Sequence, residues 1–155
     1  MSLLAVILIR SPTDRRPEER KTLELLKLNK KFNCVIVPDT LSIRGMLKVL
    51  ENVVTYGEID KNILVALIEK RGRLDGNKKI QSDYLKKLGY DNFEKLAEAL
   101  LSGTASLDKL PSFKPVFRLH PPKGGFKRTI KKHYNDGGEL GYRGYKINEL
   151  LLTMI

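Results

Sequence analysis

The stretch LLAVILIR at residues 3–10 decides the fold, because its first seven residues are apolar without interruption. A strand with one solvent-facing side alternates apolar and polar residues, whereas a continuous apolar run is typical of a strand buried on both faces. The stretch therefore predicts a strand at the centre of a sheet. It is too short to cross a membrane. We interpret it as a strand and not as a signal peptide, since no basic segment precedes it and no small-residue cleavage site follows it.

A compact α/β unit is predicted around this strand. Pro17 suits the first position of a helix, and residues 34–37 indicate a second strand that Pro38 stops. Asp39 or Thr40 can cap the helix that follows. That second helix is indicated by apolar residues at helical spacing: Ile43, Met46, Leu47, Leu50, Val53 and Val54.

The middle of the chain predicts helices. Asp60 can cap one of them, and Gly72 can end it. Asp91 with Glu94 three residues later fits a capping box ahead of another helix. The segment after residue 110 predicts a short strand at 116–119, and the chain closes with a short apolar helix.

These patterns divide the chain into three parts. We expect residues 1–60 and 111–122 to form an α/β core, with residues 61–110 inserted as a helical segment. Residues 123–155 are expected to form a basic, glycine-containing loop and the C-terminal helix.

The charge of the chain points to a polyanionic partner. Its 155 residues include 29 Lys and Arg against 18 Asp and Glu, a formal net charge of +11. More than half of this excess lies in the last 45 residues, which hold nine basic and three acidic side chains. Such a balance suits nucleic acid or an anionic surface. A single cysteine excludes an intramolecular disulfide and a cysteine-built zinc site, so we expect a reducing, intracellular compartment.

The basic segment near the C-terminus is the first candidate for phosphate contact. It reads Lys123-Gly124-Gly125-Phe126-Lys127-Arg128 and continues to Lys131 and Lys132. Glycines let backbone amides approach a phosphate, lysine and arginine neutralise it, and Phe126 can stack on an unpaired base. The alternative interpretation is a solvated basic loop with a glycine turn.

The second candidate is an arginine cluster where the first strand passes into the first helix. Arg10, Arg15 and Arg16 can hold phosphate at the edge of the sheet. A solvated arginine turn explains the same residues, and both interpretations stay open.

The third candidate is the start of the second helix. Ser42, Arg44 and Gly45 lie on the side away from its apolar residues, and a helix N-terminus attracts phosphate. Gly45 weakens the helix, which indicates a close approach by a partner. A glycine packed against a neighbouring strand is the alternative.

No enzyme template fits the chain. It lacks a phosphate loop of the GxxxxGK type, and neither His120 nor His133 has a paired acid, a nucleophile or metal-ligand spacing. Cys34 is expected to be a buried, inert thiol in a strand. The sequence therefore predicts no catalytic residue, no metal site, no cofactor and no small-molecule substrate. Acidic residues that stand apart are explained as helix caps and turn residues: Asp39, Glu58 and Asp60.

Two segments together resemble a known family. They are VIVPDTLSIRGML at residues 35–47 and FRLHPPKGG at residues 117–125, with VTYG at 54–57 between them and Gly137-Gly138 after them. In order and over the whole chain, they resemble the large-subunit ribosomal protein family numbered thirty in bacteria and archaea and seven in eukaryotes. The length is that of the archaeal form.

The resemblance implies an α+β fold. It has a βαβαβ core, a three-stranded antiparallel sheet with its helices on one face, and is a relative of the ferredoxin-like arrangement. In the long form, the resemblance places the third strand at residues 115–120. The implied role is structural and non-enzymatic, in the cytoplasmic ribosome. The implied partners are large-subunit rRNA near the 5S rRNA region and neighbouring ribosomal proteins, without a membrane.

Carried over residue by residue, the resemblance implies an RNA-binding set in the three candidate segments. The resemblance supplies Arg10, Ser11, Arg15, Arg16, Thr40, Ser42, Arg44, Gly45, His120, Lys123, Gly125, Lys127 and Arg128, and the charge and turn chemistry of the basic segment add Gly124, Phe126, Lys131 and Lys132. Two alternatives stay open: a free RNA- or DNA-binding protein, acting as a regulator or chaperone, and a nucleic-acid-processing enzyme. The enzyme would need clustered acids or a histidine acid–base pair, and the sequence supplies neither.

Overall fold

The computed structural model describes residues 3–155 and contains both strands and helices, as the α+β prediction requires. The strands are β1 Leu3–Leu8, β2 Asn33–Pro38, β3 Val54–Glu58, β4 Arg73–Leu74, β5 Lys78–Lys79, β6 Phe113–Lys114, β7 Val116–Arg118, β8 Thr129–His133 and β9 Gly138–Tyr142. The helices are α1 Pro17–Leu25, α2 Leu41–Val49, α3 Lys61–Arg71, α4 Ser82–Lys87, α5 Phe93–Ser102 and α6 Ile147–Met154.

The main sheet has the strand order β7-β2-β1-β3-β9-β8. As predicted, β1 lies inside the sheet, antiparallel to both β2 and β3. Residues 4–9 are fully buried, which explains the uninterrupted apolar run. The core is thus the expected βαβαβ unit, but its sheet is extended to six strands and is mixed, since β9 is parallel to β3 and β8 is parallel to β9.

The expectation that residues 115–120 supply the third strand of the core is wrong. That strand is β3, which pairs with β1 from Leu8 opposite Val54 to Leu4 opposite Glu58. Residues 116–118 instead form β7 on the outer edge of β2. The apolar spacing of α2 continues through residues 53 and 54, although the helix ends at Val49, and this continuation hid the start of β3.

The two helices of the βαβαβ core, α1 and α2, lie on one face of the sheet as expected, and further helices cover the other face. Side chains of a strand alternate between the two faces, so Leu4, Val6 and Leu8 pack with α1 and α2. Ala5, Ile7 and Ile9 pack on the other face in the core that α3, α5 and α6 complete. The resemblance concerned a shorter core with two helices, and the second layer comes from the insertion and from the C-terminal helix.

Two strands near the C-terminus, β8 and β9, were not predicted. Their sequences are TIKKH and GELGY, and lysine and glycine are uncommon inside strands. Parallel pairing places β9 beside β3 in the main sheet, and β8 beside β9 at its edge. The segment after residue 123 therefore returns to the same sheet as the first strand.

The helix caps were partly predicted. Thr40 caps α2, where its hydroxyl oxygen accepts a hydrogen bond of 3.2 Å from the amide of Ile43. Asp60 caps α3. Helix α5 is capped by Asn92 and not by Asp91: the side-chain oxygen of Asn92 accepts a hydrogen bond from the amide of Lys95 at 2.9 Å. Asparagine and aspartate are equally good caps, so the sequence alone could not tell which of the two neighbours begins the helix.

We expect the Cys34 thiol to be unreactive in the folded protein. The side chain is fully buried, and burial raises the pKa of its thiol to about 12, so the reactive thiolate is scarce at neutral pH. A thiol reagent added at pH 8 should label the native protein far more slowly than the protein in denaturant. Equal rates of labelling would contradict the buried position.

Candidate nucleic-acid interface

The sheet places the predicted RNA-binding residues at two opposite ends. Leu3 at the start of β1 lies beside Pro38, while Ile7 near its end lies beside Cys34. The two ends of β1 are about 17 Å apart. We call the end formed by residues 10–16, 28–32 and 118–133 the basic end. The Arg44 end is formed by residues 38–44, 58–61 and 142–146.

Charge separates the two ends. The three segments of the basic end contain eleven Lys and Arg and a single acid, Asp14. The three segments of the Arg44 end contain four basic and three acidic residues. Only the basic end therefore has the charge that attracts a polyanion.

The loop after β1 holds the first predicted group. The amide of Arg10 donates to the carbonyl of Val53 at 3.1 Å, which fixes the loop beside the start of β3. The Ser11 hydroxyl bonds to the Thr13 hydroxyl, and the Nε of Arg15 donates to the Ser11 carbonyl at 3.0 Å. Ser11 thus shapes the loop, and Arg16 is exposed at the start of α1.

The glycine-basic loop is fixed to the C-terminal end of α6. The amide of Lys123 donates to the carbonyl of Thr153 at 3.1 Å. The ring nitrogens of His120 lie 2.6 Å from the Pro121 carbonyl and 3.1 Å from the Ile155 carbonyl. These contacts make His120 an anchor of the loop, since both of its ring nitrogens lie against backbone carbonyls.

Gly124 and Gly125 form the exposed tip of this loop. Both have a φ of +77°, and nothing lies within 4 Å of the position that a Cβ would occupy. Glycine adopts this left-handed conformation without strain. The tip therefore presents bare backbone to the outside, as the phosphate-contact prediction requires.

The aromatic ring of this loop faces inward. Phe126 is half-buried against the core, and its ring centroid lies 6.2 Å from that of Phe32. The ring is committed to packing, so stacking on a base is not a role that this geometry favours. Lys127 and Arg128 beside it are exposed.

Arg128 is exposed but held in place. Its Nη2 donates to the Tyr134 carbonyl at 2.9 Å, and its guanidinium lies 4.5 Å from the centre of the Tyr134 ring. Its amide donates to Oε1 of Glu139 at 3.0 Å. Lys131 and Lys132 follow on β8, the outer strand of the sheet, and both are exposed.

A buried ion pair that sequence reasoning missed supports this loop. Nη2 of Arg143 lies 2.6 Å from Oε2 of Glu139, and the two side chains are 5% and 6% exposed. The Nε of Arg143 donates to the Thr55 hydroxyl at 2.8 Å, which in turn donates to the Gly141 carbonyl. The pair is spaced i, i+4 on a segment that is not helical, so spacing gave no signal for it.

The third predicted group lies at the Arg44 end, away from the other two. Thr40 uses its hydroxyl as a helix cap, and Ser42 is exposed. No heavy atom lies within 4 Å of where a Cβ on Gly45 would be. The alternative of a glycine packed against a neighbouring strand is therefore wrong, and the helix start is open to a partner.

Arg44 is already paired inside the protein. It donates to Asp39 through Nε at 2.6 Å and through Nη2 at 2.9 Å, and Nη2 lies 3.5 Å from Oε1 of Glu58. Its guanidinium lies 5.0 Å from the centre of the Tyr142 ring, whose hydroxyl donates to Glu58. These contacts tie α2 to β3 and β9. They give Arg44 a structural role that the sequence analysis did not foresee.

The Arg44 pair predicts an acid-sensitive contribution to stability. The hydrogen bond from Arg44 lowers the pKa of Asp39, so the stabilisation is complete above the unfolded-state pKa and is lost as the pH falls through the lower, folded-state value. We expect Asp39→Asn to be less stable than the parent at pH 7, with a difference that shrinks below about pH 4. Urea unfolding at several pH values measures this. A difference independent of pH would contradict the pairing.

The cations of the basic end, in contrast, have no acidic partner. The ion pairs within residues 3–155 are Lys27–Asp108, Arg44–Asp39, Arg44–Glu58, Lys61–Glu98, Arg143–Glu139 and Lys146–Glu149. None of them includes a residue of the basic end. The positive charge of the basic end is therefore available to a ligand.

Two further features are absent from residues 3–155. No cluster of His, Cys, Asp and Glu there has the arrangement of a metal site. None of the helices described has the length and apolar character of a membrane span.

Comparison with known proteins gives a consistent result. The family model described as ribosomal protein L30p/L7e matches residues 4–54. The large ribosomal subunit protein uL30 of Thermofilum pendens is 55% identical, and the alignment covers 100% of each chain. The uL30 protein of Archaeoglobus fulgidus is 48% identical, and the alignment covers 98% of this chain and 99% of that protein. The uL30 protein of Ignicoccus hospitalis is 47% identical, and the alignment covers 99% of this chain and 98% of that protein.

Proposed function

Because this chain belongs to the ribosomal protein L30p/L7e family, we propose that it is a structural constituent of the large ribosomal subunit, in the cytoplasm, and that it binds rRNA. Proteins of this family are structural and not enzymatic. The observation that carries RNA binding is the basic end, where eleven cations face a single acid and none forms an ion pair among the described residues.

The contacts we propose fall into two groups. The main group is the basic end, where the arginine loop, the glycine-basic loop and β8 present cations without acidic partners. Its proposed RNA contacts are Arg10, Arg15, Arg16, Lys123, Gly124, Gly125, Lys127, Arg128, Lys131 and Lys132. The smaller group is the open helix start, where the backbone amide of Ser42 can receive a phosphate and Gly45 has no side chain to obstruct it.

The remaining proposed partners come from the family. We place the chain near the 5S rRNA region, with neighbouring large-subunit proteins beside it. A free RNA- or DNA-binding protein would use the same basic end. Residence in the large subunit distinguishes a ribosomal protein from a free one.

Sedimentation of a native lysate through a sucrose gradient tests the proposal. After a high-salt wash, we expect the chain to migrate with the large subunit, because a structural constituent is held by many contacts at once. An insertion variant, Lys86→Ala with Lys87→Ala, serves as the control and should migrate in the same way. Recovery of the chain only in light fractions would overturn the ribosomal assignment and favour a free nucleic-acid-binding protein.

A further inference from the structure

We propose that Lys30, Lys31 and Arg118 of the basic end also contact RNA, and that the basic end recognises the phosphate backbone of double-helical RNA and not unpaired bases. This inference rests on the proposed function and specifies its ligand. None of these three residues belongs to the RNA-binding set predicted in the sequence analysis.

Backbone pairing brings these residues beside the predicted ones. The amide of Phe32 donates to the Leu8 carbonyl at 2.7 Å, which places the loop holding Lys30 and Lys31 at the end of β1. On the next strand, Arg118 lies opposite Asn33. The Phe32 ring also contacts Phe126 of the glycine-basic loop. One end of the sheet thus joins three separate segments into a single surface.

The three side chains are available to a ligand. All are exposed, and none forms an ion pair within residues 3–155. Residues 25–38 contain three lysines and no acid. The third, Lys27, is paired with Asp108 at 3.8 Å, so Lys30 and Lys31 carry the unpaired charge of this loop.

The rings at the basic end are occupied. Phe32 and Phe126 pack on each other, Tyr134 lies under the guanidinium of Arg128, and His133 is 2.9 Å from the side-chain oxygen of Asn52. The exposed large aromatic residues among those described are Tyr142 and Tyr145, and both lie at the Arg44 end.

This combination distinguishes two kinds of RNA ligand. Proteins that hold single strands pair a basic groove with aromatic rings on which bases stack. Double-helical RNA hides its bases and is contacted through phosphates and 2′-hydroxyls. A surface with cations and bare glycine backbone, but without a free ring, fits the duplex.

Direct binding measurements test the ligand class. Fluorescence anisotropy with the full chain compares a hairpin duplex with an unstructured single strand of equal phosphate number, and each is made in two unrelated sequences. We expect at least tenfold tighter binding of the duplex and less than threefold difference between the two duplex sequences. Tighter binding of the single strand would overturn the inference while leaving RNA binding intact. Absence of binding to either RNA would count against the proposed function.

A triple variant tests the three residues. Lys30→Ala, Lys31→Ala and Arg118→Ala together should lower the slope of log affinity against log salt by about 2 to 3, since each neutralised phosphate contributes about 0.7 to 0.9. The control removes three exposed lysines of the insertion: Lys78, Lys86 and Lys87. A thermal melt of each variant checks folding. If the triple variant keeps the parent slope, or if the control loses as much, these residues lie outside the interface.

Discussion

Replacing Arg143 by alanine is expected to lower the free energy of unfolding by about 3–5 kcal/mol, as is typical when one partner of a buried ion pair is removed. Arg143 is paired with Glu139 at 2.6 Å, and both side chains are almost fully buried. Its removal leaves the Glu139 carboxylate buried, and among residues 3–155 the amide of Arg128, at 3.0 Å, is its remaining hydrogen-bond donor. The Thr55 hydroxyl loses its donor as well. Urea unfolding at pH 7 measures the loss.

A neighbouring ion pair provides the control. Lys146 and Glu149 are 59% and 72% exposed, and exposed pairs contribute about 0–1 kcal/mol. Lys146→Ala should therefore change stability by less than about 1 kcal/mol. If Arg143→Ala and Lys146→Ala have equal effects, the Arg143 pair does not hold β9 to β3.

The second large effect is expected on RNA affinity. Changing Arg15, Arg16, Lys127 and Lys131 together to alanine should lower the slope of log affinity against log salt by about 3. None of these four cations forms an ion pair within residues 3–155, and they come from two segments of the basic end. Because none contributes to the core, the melting temperature should stay close to that of the parent protein.

A variant with the same change in charge separates local contact from net charge. Lys78, Lys79, Lys86 and Lys87 of the insertion are exposed, and their replacement also removes four positive charges. Titration of a duplex RNA at several salt concentrations compares the two variants. Equal losses would show that net charge, and not the basic end, governs binding.

The sequence predicted the centre of the fold well, because β1 is buried on both faces and its pattern is unambiguous. The α2 helix and its Thr40 cap followed from local spacing in the same way. The identity of the third strand could not be predicted, since the helical spacing of apolar residues in α2 continues into Val54 without a visible break. Strand β9 depends on parallel pairing with β3 over a long sequence separation, which no local signal encodes, and β8 enters the sheet through its pairing with β9.

The features of the candidate site could likewise be predicted only in part from the sequence. The glycine tip at residues 124 and 125 and the arginine loop followed from turn chemistry and charge. The pairing of Arg44 with Asp39 and Glu58 could not be predicted, because Glu58 is brought near Arg44 by the antiparallel register of β1 and β3. In the same way, the pairing of β2 with β1 and β7 puts Lys30 and Arg118 beside residues that are distant in sequence.

Cross-linking of purified large subunits, followed by mass spectrometry of the peptides that carry nucleotides, maps which end of the sheet faces RNA in the assembled particle. We predict that most RNA-linked peptides come from residues 10–16, 28–32 and 118–133. Links confined to residues 142–146 and to the insertion, with none from the basic end, would contradict it.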